Sequence, residues 1–207
     1  MSTAGRRLLS TWERERKHLL IGEALPDWYH YKYTYTWAMN YAKPEVRVRK
    51  LAIVNELCSN YDVDGIEFDF LRHWFYFKSS EEEAGIPLMN DFIRSVRKRL
   101  DEIGQQRGKR LRLVVRVPST LRMCRRVGLD APTWIQEGLV DLVVAMDPGH
   151  LDITADVASF DKLAEGTDCK IASGPKSTTR VSPYKSFSGR KATHNPYSSP
   201  IGLPSLT

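Results

Sequence analysis

The sequence predicts an α/β fold in which parallel β-strands alternate with α-helices. Segments of strand length occur at residues 64–70, where apolar and acidic side chains alternate, and at 111–117 and 140–146, which are mostly apolar. The segments between them repeat apolar residues at helical spacing. Strands and helices that alternate in steps of this size form a parallel sheet with right-handed crossovers. No glycine-rich phosphate-binding loop follows any of these strands, which argues against a nucleotide-binding version of the fold.

The composition is that of a globular protein with one core. Of the 207 residues, 42% are hydrophobic and 27% are charged. No apolar run is long enough to span a bilayer, and no signal-type apolar segment lies near the N-terminus. We therefore expect no membrane contact and, by default, a cytoplasmic location. The cysteines, Cys58, Cys124 and Cys169, are far apart, which argues against a disulfide framework or a zinc knuckle.

Composition divides the chain into three parts: a charged segment at residues 1–25, a domain at 26–173 and a tail rich in Ser, Pro and Gly at 174–207. The formal charge is +6, and the tail has basic residues but no acidic ones. These are Lys176, Arg180, Lys185, Arg190 and Lys191. A basic tail can bind nucleic acid, but this composition is more simply that of a disordered, solvated end. We do not expect a nucleic-acid partner.

The first part of the domain is rich in Tyr and Trp. In the charged segment before it, a helix is expected over residues 12–20. Within the domain, tyrosines alternate at positions 29, 31, 33 and 35, as in a short strand or an extended loop. Aromatic side chains with polar tips stack on sugars and hydrogen-bond to them, which makes Trp37 a candidate for substrate binding. An aromatic packing loop explains the same residues equally well.

A helix is predicted over residues 44–59, because proline is tolerated at a helix start and apolar residues follow at helical spacing. The next strand alternates its side chains, so that Ile66, Phe68 and Phe70 share one face. The later elements continue the alternation. They are a turn at 81–85, a helix at 88–104, a strand at 111–117, a short helix from Asp130, a strand at 140–146, a helical turn at 160–163 and a fourth strand from Lys170.

The polar residues of this sequence cluster at the carboxyl ends of the predicted strands. Active sites lie there in β/α barrels and also in doubly wound sheets. A full (β/α)8 barrel has eight strands in about 250 residues, whereas only about four strands can be placed here. We therefore predict a partial, TIM-barrel-like domain. Because an open half-barrel exposes sheet edges, self-association is expected if the barrel is incomplete.

Two motifs resemble a known family: NYAKPEVR at residues 40–47 and YDVDGIEFDFLRH at residues 61–73. With the helix between them they resemble the glycosyl hydrolase-like family 10 group of glycosidase-type β/α barrels. Asp64, Gly65, Ile66 and Asp69 match the usual strand motif, and Glu67 stands where much of the group has His. The likeness covers roughly residues 40–145. It implies a partial or truncated barrel that acts on a carbohydrate.

The same strand is similar to the D-x-x-D-x-D-x-E strand of chitinase-type barrels. Asp64, Glu67 and Asp69 are in register with that motif. Leu71 occupies the position of the chitinase proton donor, so chitinase chemistry is not predicted.

Glu67 and Asp69 are the main candidates for catalysis. Burying unpaired carboxylates in a core is costly, whereas glycoside hydrolysis uses two carboxyl groups. Residues two apart on a strand are separated by about 6.6 Å, so these two can form a pair. Most barrels take acid and base from different strand ends, so the preferred arrangement pairs one of these two with Asp147, after the third strand. We expect Asp69 to be the primary acidic group and Glu67 to support it.

Candidate substrate contacts follow the acidic strand or lie on the next one. Arg72 and Arg116 have the donor geometry to orient a carboxylate or to bind an acidic sugar. His73 and Trp74 begin a loop at residues 73–77 whose aromatic side chains are expected to be exposed.

Each of these assignments has a structural alternative. Arg116 can simply neutralise Glu67 or Asp69 through an ion pair, His73 can be an ordinary loop residue, and Asp147 is a good turn residue. The spacing of Glu67, Asp69 and His73 is not that of a recognised metal-ligand set, so no metal and no cofactor are expected.

Two functions remain open from the sequence. The first is a glycoside hydrolase-like protein that acts on or binds a carbohydrate through carboxylates at a strand end. The second is a catalytically inactive barrel fragment that serves as a binding or structural module. The basic tail alone suggests a third, nucleic-acid binding, which is the weakest.

Overall fold

The computed structural model describes residues 15–21, 38–71, 74–146 and 156–173, all within one compact unit, Met1–Lys176. Helices and strands alternate along most of these residues, after a short 3-10 helix at Lys17–Leu19. The helices are α1 (Pro44–Asn60), α2 (Glu82–Arg107), α3 (Leu121–Arg126), α4 (Ala131–Gln136) and α5 (Val157–Ala164), and the strands are β1 (Gly65–Asp69), β2 (Arg112–Val117), β3 (Leu142–Ala145) and β4 (Lys170–Ser173). The predicted mixed α/β fold is confirmed.

The strands form one parallel sheet in the order β1-β2-β3-β4. Each strand therefore lies beside the strand that follows it in the sequence. The connections of the first three strands contain helices, as parallel neighbours require. The carboxyl ends of the four strands all lie at the same end of the sheet. The acidic residues of β1 lie toward this end.

The two faces of the sheet have different surroundings. Leu113, Val115 and Val117 of β2 are fully buried and belong to the same core as Phe92 and Ile93 of α2. The alternate side chains of the strands are only half-buried or exposed and point to the opposite side. We call that side the far face; its residues are Gly65, Glu67, Asp69, Arg112, Val114, Arg116, Leu142, Val144, Lys170 and Ala172.

Helix α2 is longer than predicted. The sequence indicates a turn at residues 81–85 and a helix from 88, but the helix begins at Glu82 and contains both Gly85 and Pro87. Phe77 packs against the helix at Gly85 and leaves no room for a side chain there, because a Cβ atom would lie 2.5 Å from the Phe77 ring. Pro87 removes only one backbone donor near the helix start. The helix ends at Gly108, which has a left-handed φ of 66° and caps it.

A buried arginine joins α2 to the amino-terminal edge of the sheet. Arg97 is 5% exposed, and its guanidinium pairs with Asp141 at 3.0 Å and with Asp101 at 2.6 Å. It also donates to the backbone oxygen of Leu111 at 2.7 Å. Asp141 in turn accepts a hydrogen bond from the backbone N–H of Leu113 at 2.7 Å. These contacts connect α2, β2 and β3.

Helices α3 and α4 each start at a capping side chain. Thr120 accepts a hydrogen bond from the Met123 N–H, and Asp130 accepts one from the Thr133 N–H, which satisfies a backbone donor at each helix start. The sequence predicts α4 at this cap, and that is confirmed. Helix α3 was not predicted.

Several predictions fall on residues outside the described ranges. These are the alternating tyrosines at 29–35, residues 12–14 of the helix predicted at 12–20 and the tail at 174–207. The described part of that predicted helix is only the short 3-10 helix at Lys17–Leu19, and Leu20 instead forms a β-bridge with Met39. Among the described helices, none combines the length and the apolar character needed to cross a membrane.

Candidate functional site

The two carboxylates of β1 lie on the far face, Glu67 in the middle of the strand and Asp69 at its last residue. Glu67 is 50% exposed and Asp69 is 39% exposed, as measured on their side chains. Ile66 and Phe68, which alternate with them, instead pack against the core. The predicted division of the strand into an apolar face and an acidic face is therefore confirmed.

Arg116 lies between the two carboxylates. The strand register places it directly beside Asp69. Its Nη1 donates to Asp69 Oδ2 at 3.1 Å and lies 4.0 Å from Glu67 Oε1. The ion pair that the sequence allowed is present. The ion pair places the Arg116 guanidinium between the two acidic groups, toward the carboxyl ends of the strands. The Arg116 side chain is 31% exposed.

Asp69 uses both of its carboxylate oxygens within the protein. Oδ1 accepts a hydrogen bond from the backbone N–H of Leu71 at 3.0 Å, while Oδ2 accepts from Arg116. Glu67 differs, because its single ion pair among the described residues is the 4.0 Å contact with Arg116. Asp69 is therefore fixed in place, and Glu67 keeps oxygen lone pairs available for another molecule.

Met146 follows β3 and completes this group, which we call the carboxylate–arginine cluster: Glu67, Asp69, Arg116 and Met146. Arg116 Nη2 contacts the Met146 sulfur at 3.4 Å. The backbone N–H of Met146 donates to the Val117 oxygen at 3.1 Å, which extends the pairing of β2 and β3 by one residue. The sequence analysis did not identify Met146; its position directly after a predicted strand was the available signal.

Aromatic rings support the cluster from the helix side of the sheet. Phe70 contacts Tyr76 at a ring-centroid distance of 5.3 Å and Trp134 at 5.7 Å. The Tyr76 hydroxyl donates to the Phe70 backbone oxygen. Tyr76 is 7% exposed and Phe77 is 2% exposed, so the expectation that residues 73–77 carry exposed aromatics is wrong for these two. Their burial anchors residues 76 and 77 in the core.

Asp62 and Asp64 lie at the opposite end of β1 from the cluster. Lys109 Nζ contacts Asp62 at 2.9 Å and Asp64 at 3.0 Å. The hydrogen bond from Lys109 holds the pKa of Asp62 below its usual range. The first acidic position of the chitinase-like motif, Asp64, is therefore paired at the amino-terminal edge and is not part of the cluster.

Depressions of about 440 and 650 Å³ also lie at the amino-terminal edge of the sheet. Both are lined by Arg110, whose Nε donates to Asp141 at 2.7 Å. These charged groups pair with each other, and no residue of the carboxylate–arginine cluster lines either depression. The chemistry-bearing side chains therefore lie on the sheet face, away from these two depressions.

The other predicted site residues are distributed as follows. Trp74 is half-buried and packs against the core. Asp147, Arg72, His73 and Trp37 lie outside the described residues. The structure thus brings together Glu67, Asp69 and Arg116 of the predicted set.

A scan against models of known protein families finds no match, and a search of curated proteins finds no significant match either. What the chain does is therefore inferred from the geometry of the carboxylate–arginine cluster and from the motifs of β1.

Proposed function

We propose that this chain is a glycoside hydrolase-like protein with a partial TIM-barrel fold. It binds and cleaves a carbohydrate at the carboxylate–arginine cluster. The observation that carries this proposal is the position of Glu67, Asp69 and Arg116 on neighbouring parallel strands. They lie toward the carboxyl ends, on the face opposite the helix-packed core. That position corresponds to the active-site end of a β/α barrel.

The strand order supports the barrel type. The sheet runs β1-β2-β3-β4 without a reversal, whereas a doubly wound sheet reverses its strand order at a switch point where ligands bind. The motifs at residues 40–47 and 61–73, with their resemblance to glycosyl hydrolase-like family 10, support the same assignment.

The spacing of the carboxylates fits hydrolysis of a glycosidic bond. Glu67 and Asp69 each place an oxygen within 4.0 Å of Arg116 Nη1. Those two oxygens are then no more than about 7 Å apart, the sum of the two contact distances, which is compatible with the separations of about 5–9.5 Å that glycosidases use. Glu67 is the carboxylate free to exchange a proton with the glycosidic oxygen, and Asp69 positions Arg116. Asp147 is the further candidate for the second carboxyl group.

The test is an assay for new reducing ends, run on the full chain with a panel of neutral and acidic polysaccharides. Glu67→Gln should lower the rate about 100-fold or more, because a positioned acid or base contributes that much. Asp62→Asn is the matched control, since it removes one carboxylate at the opposite edge and should leave the rate unchanged. Equal rates for wild type and Glu67→Gln would rule out the catalytic role of Glu67.

A second function has one observation in its favour, the ion pair of Arg116 with Asp69. An arginine that neutralises a carboxylate pair is typical of a binding or structural role as well. In that case the chain is a catalytically inactive barrel fragment. Sugar would bind without any release of reducing ends, and Glu67→Gln would change affinity alone.

A further inference from the structure

We propose that the carboxylate–arginine cluster selects neutral sugars, and that it does so by binding two neighbouring hydroxyl groups between Arg116 and Glu67. This inference rests on the proposed carbohydrate function and adds the substrate class. It also replaces the expectation that Arg116 binds an acidic sugar.

The donor side of this arrangement is Arg116 Nη2. Its contact among the described residues is the Met146 sulfur at 3.4 Å, and a thioether is a weak acceptor. Hydrogen bonds from a charged donor to oxygen are shorter and stronger. A sugar hydroxyl oxygen would therefore displace the sulfur contact and improve the hydrogen bonding of Arg116. The side chain is 31% exposed, so a ligand can reach it.

The acceptor side is Glu67. Half of its side chain is exposed, and its contact with Arg116 is at 4.0 Å. Asp69 is the weaker competitor for this role, because each of its oxygens already accepts one hydrogen bond, from Leu71 N–H and from Arg116. The cluster thus offers Glu67 as its most available acceptor and one poorly used donor side by side on the same sheet face.

Two adjacent hydroxyl groups match this pair of partners. A hydroxyl donates one hydrogen bond and can accept two. One hydroxyl of a vicinal diol can therefore donate to Glu67 while its neighbour accepts from Arg116 Nη2. A lone hydroxyl satisfies only part of this arrangement, whereas most neutral pyranosides carry neighbouring hydroxyls.

The net charge of the cluster excludes acidic sugars as its preferred ligands. The cluster contains two carboxylates and one guanidinium, so it has an excess of one negative charge. The carboxylate of a uronic acid placed at Arg116 Nη2 would come close to Glu67 and Asp69, and like charges at such distances repel. A neutral hydroxyl does not incur this repulsion.

The experiment is a calorimetric titration of the full chain with matched pairs of oligosaccharides. Each pair consists of a neutral oligomer and its uronic counterpart, such as oligogalactose against oligogalacturonate and oligomannose against oligomannuronate. At least one neutral oligomer should bind, and its uronic counterpart should bind about 10-fold or more weakly, which corresponds to about 1.4 kcal/mol.

Two variants locate the discrimination. Glu67→Gln removes the repelling charge and the strongest acceptor, so the neutral oligomer should bind several-fold more weakly and the preference over the uronic counterpart should shrink. Asp62→Asn changes the net charge of the chain by the same amount at the opposite edge and should leave the preference intact. A thermal melt of each variant checks that the fold is retained.

The outcomes separate the two proposals. Tighter binding of a uronic oligomer than of its neutral counterpart would overturn the inference and leave the carbohydrate function standing. Binding of neutral oligomers with an unchanged preference in Glu67→Gln would also overturn it. Failure of every oligosaccharide to bind would overturn the carbohydrate function, and the inference with it.

Discussion

At the scale of single residues, Glu67 and Asp69 show how two carboxylates on one strand obtain different environments. They share a face and lie two positions apart. Yet Asp69 has both oxygens in hydrogen bonds, while Glu67 has one distant ion pair within the part of the chain that the structure describes. The difference comes from the register, which places Arg116 beside Asp69. The prediction that Asp69 is the primary acidic group rests on its position near the strand end, whereas its pairing with Arg116 depends on a register that the sequence does not reveal.

Arg97 and Arg94 provide a matched test of burial, since they lie one turn apart on α2. Arg97 is nearly buried and pairs with Asp141, whereas Arg94 pairs with Glu137 at the surface. Arg97→Met should lower the free energy of unfolding by about 2 kcal/mol, because it removes the buried partner of Asp141 and the donor to the Leu111 oxygen. The loss is limited because Arg110 still pairs with Asp141. Arg94→Met should cost much less, since exposed pairs contribute little. Urea unfolding of both variants measures the difference, and equal losses would contradict it.

Asp130 should make the stability depend on pH. Burial alone would raise its pKa, but hydrogen bonds from Thr133 and Asn90 outweigh burial and hold the pKa below its usual range. A carboxyl whose pKa is lower in the folded state stabilises the fold above its unfolded pKa of about 3.9, and this contribution is lost as the pH falls through the folded value.

The variant Asp130→Asn isolates this effect. Asparagine also caps a helix start but does not titrate in this range. The free energy of unfolding of the wild type should therefore fall more steeply than that of the variant as the pH decreases from about 5 to 2. Urea titrations at several pH values in this range measure both slopes. Parallel slopes would show that Asp130 contributes nothing to the acid sensitivity.

At the scale of elements, the sequence was informative about which segments are helices and strands, and less so about where helices begin. The four strands and the helix from Pro44 were predicted within a few residues, because apolar periodicity determines them. The start of α2 was not, because Gly85 and Pro87 usually interrupt helices. Here the Phe77 ring occupies the space that a side chain at position 85 would need, which is a contact between segments that local sequence does not encode.

The packing of Phe77 against Gly85 of α2 predicts that a larger side chain at position 85 destabilises the fold. Gly85→Ala would place a methyl group 2.5 Å from the Phe77 ring, so the variant should lose about 2 kcal/mol through overpacking. Phe77→Leu should relieve the clash, so that the double variant is more stable than the two single losses predict. Thermal or urea unfolding of the three variants measures the coupling.

Gly138→Ala is the control for this pair. Its φ of 65° is left-handed and no atom lies within 4 Å of the added methyl, so only the backbone cost of about 1 kcal/mol applies. Phe77→Leu should not reduce this backbone cost. A Gly85→Ala variant as stable as the wild type would mean that the ring moves without cost.

At the scale of the whole molecule, the far face and the outer strands suggest association. Among the described strands, β1 and β4 each pair with a single neighbour, and unpaired strand edges are templates for pairing with another chain. Val114, Leu142 and Val144 are half-buried on the far face. We expect the purified chain to self-associate as its concentration rises.

Sedimentation across a range of protein concentrations measures this association. Ala172→Lys adds a charge to the far face beside Val144 and should weaken the association, because burying an unpaired charge is costly. Ser95→Lys, on the exposed side of α2, is the control with the same added charge. A wild-type chain that stays monomeric at every concentration would contradict the prediction.

The sequential strand order also has a consequence for folding during synthesis. Among the described strands, each forms its hydrogen bonds with the strand next to it in the sequence, so no pairing skips a strand. Every pairing still spans a whole crossover, as between Gly65 and Arg112, and such parallel pairing forms more slowly than a hairpin. As the ribosome releases β2, β3 and β4 in turn, each can add to a sheet edge that already exists, and α2 can cover the first pair before β3 is made. The nascent chain can therefore build its core from β1 outward.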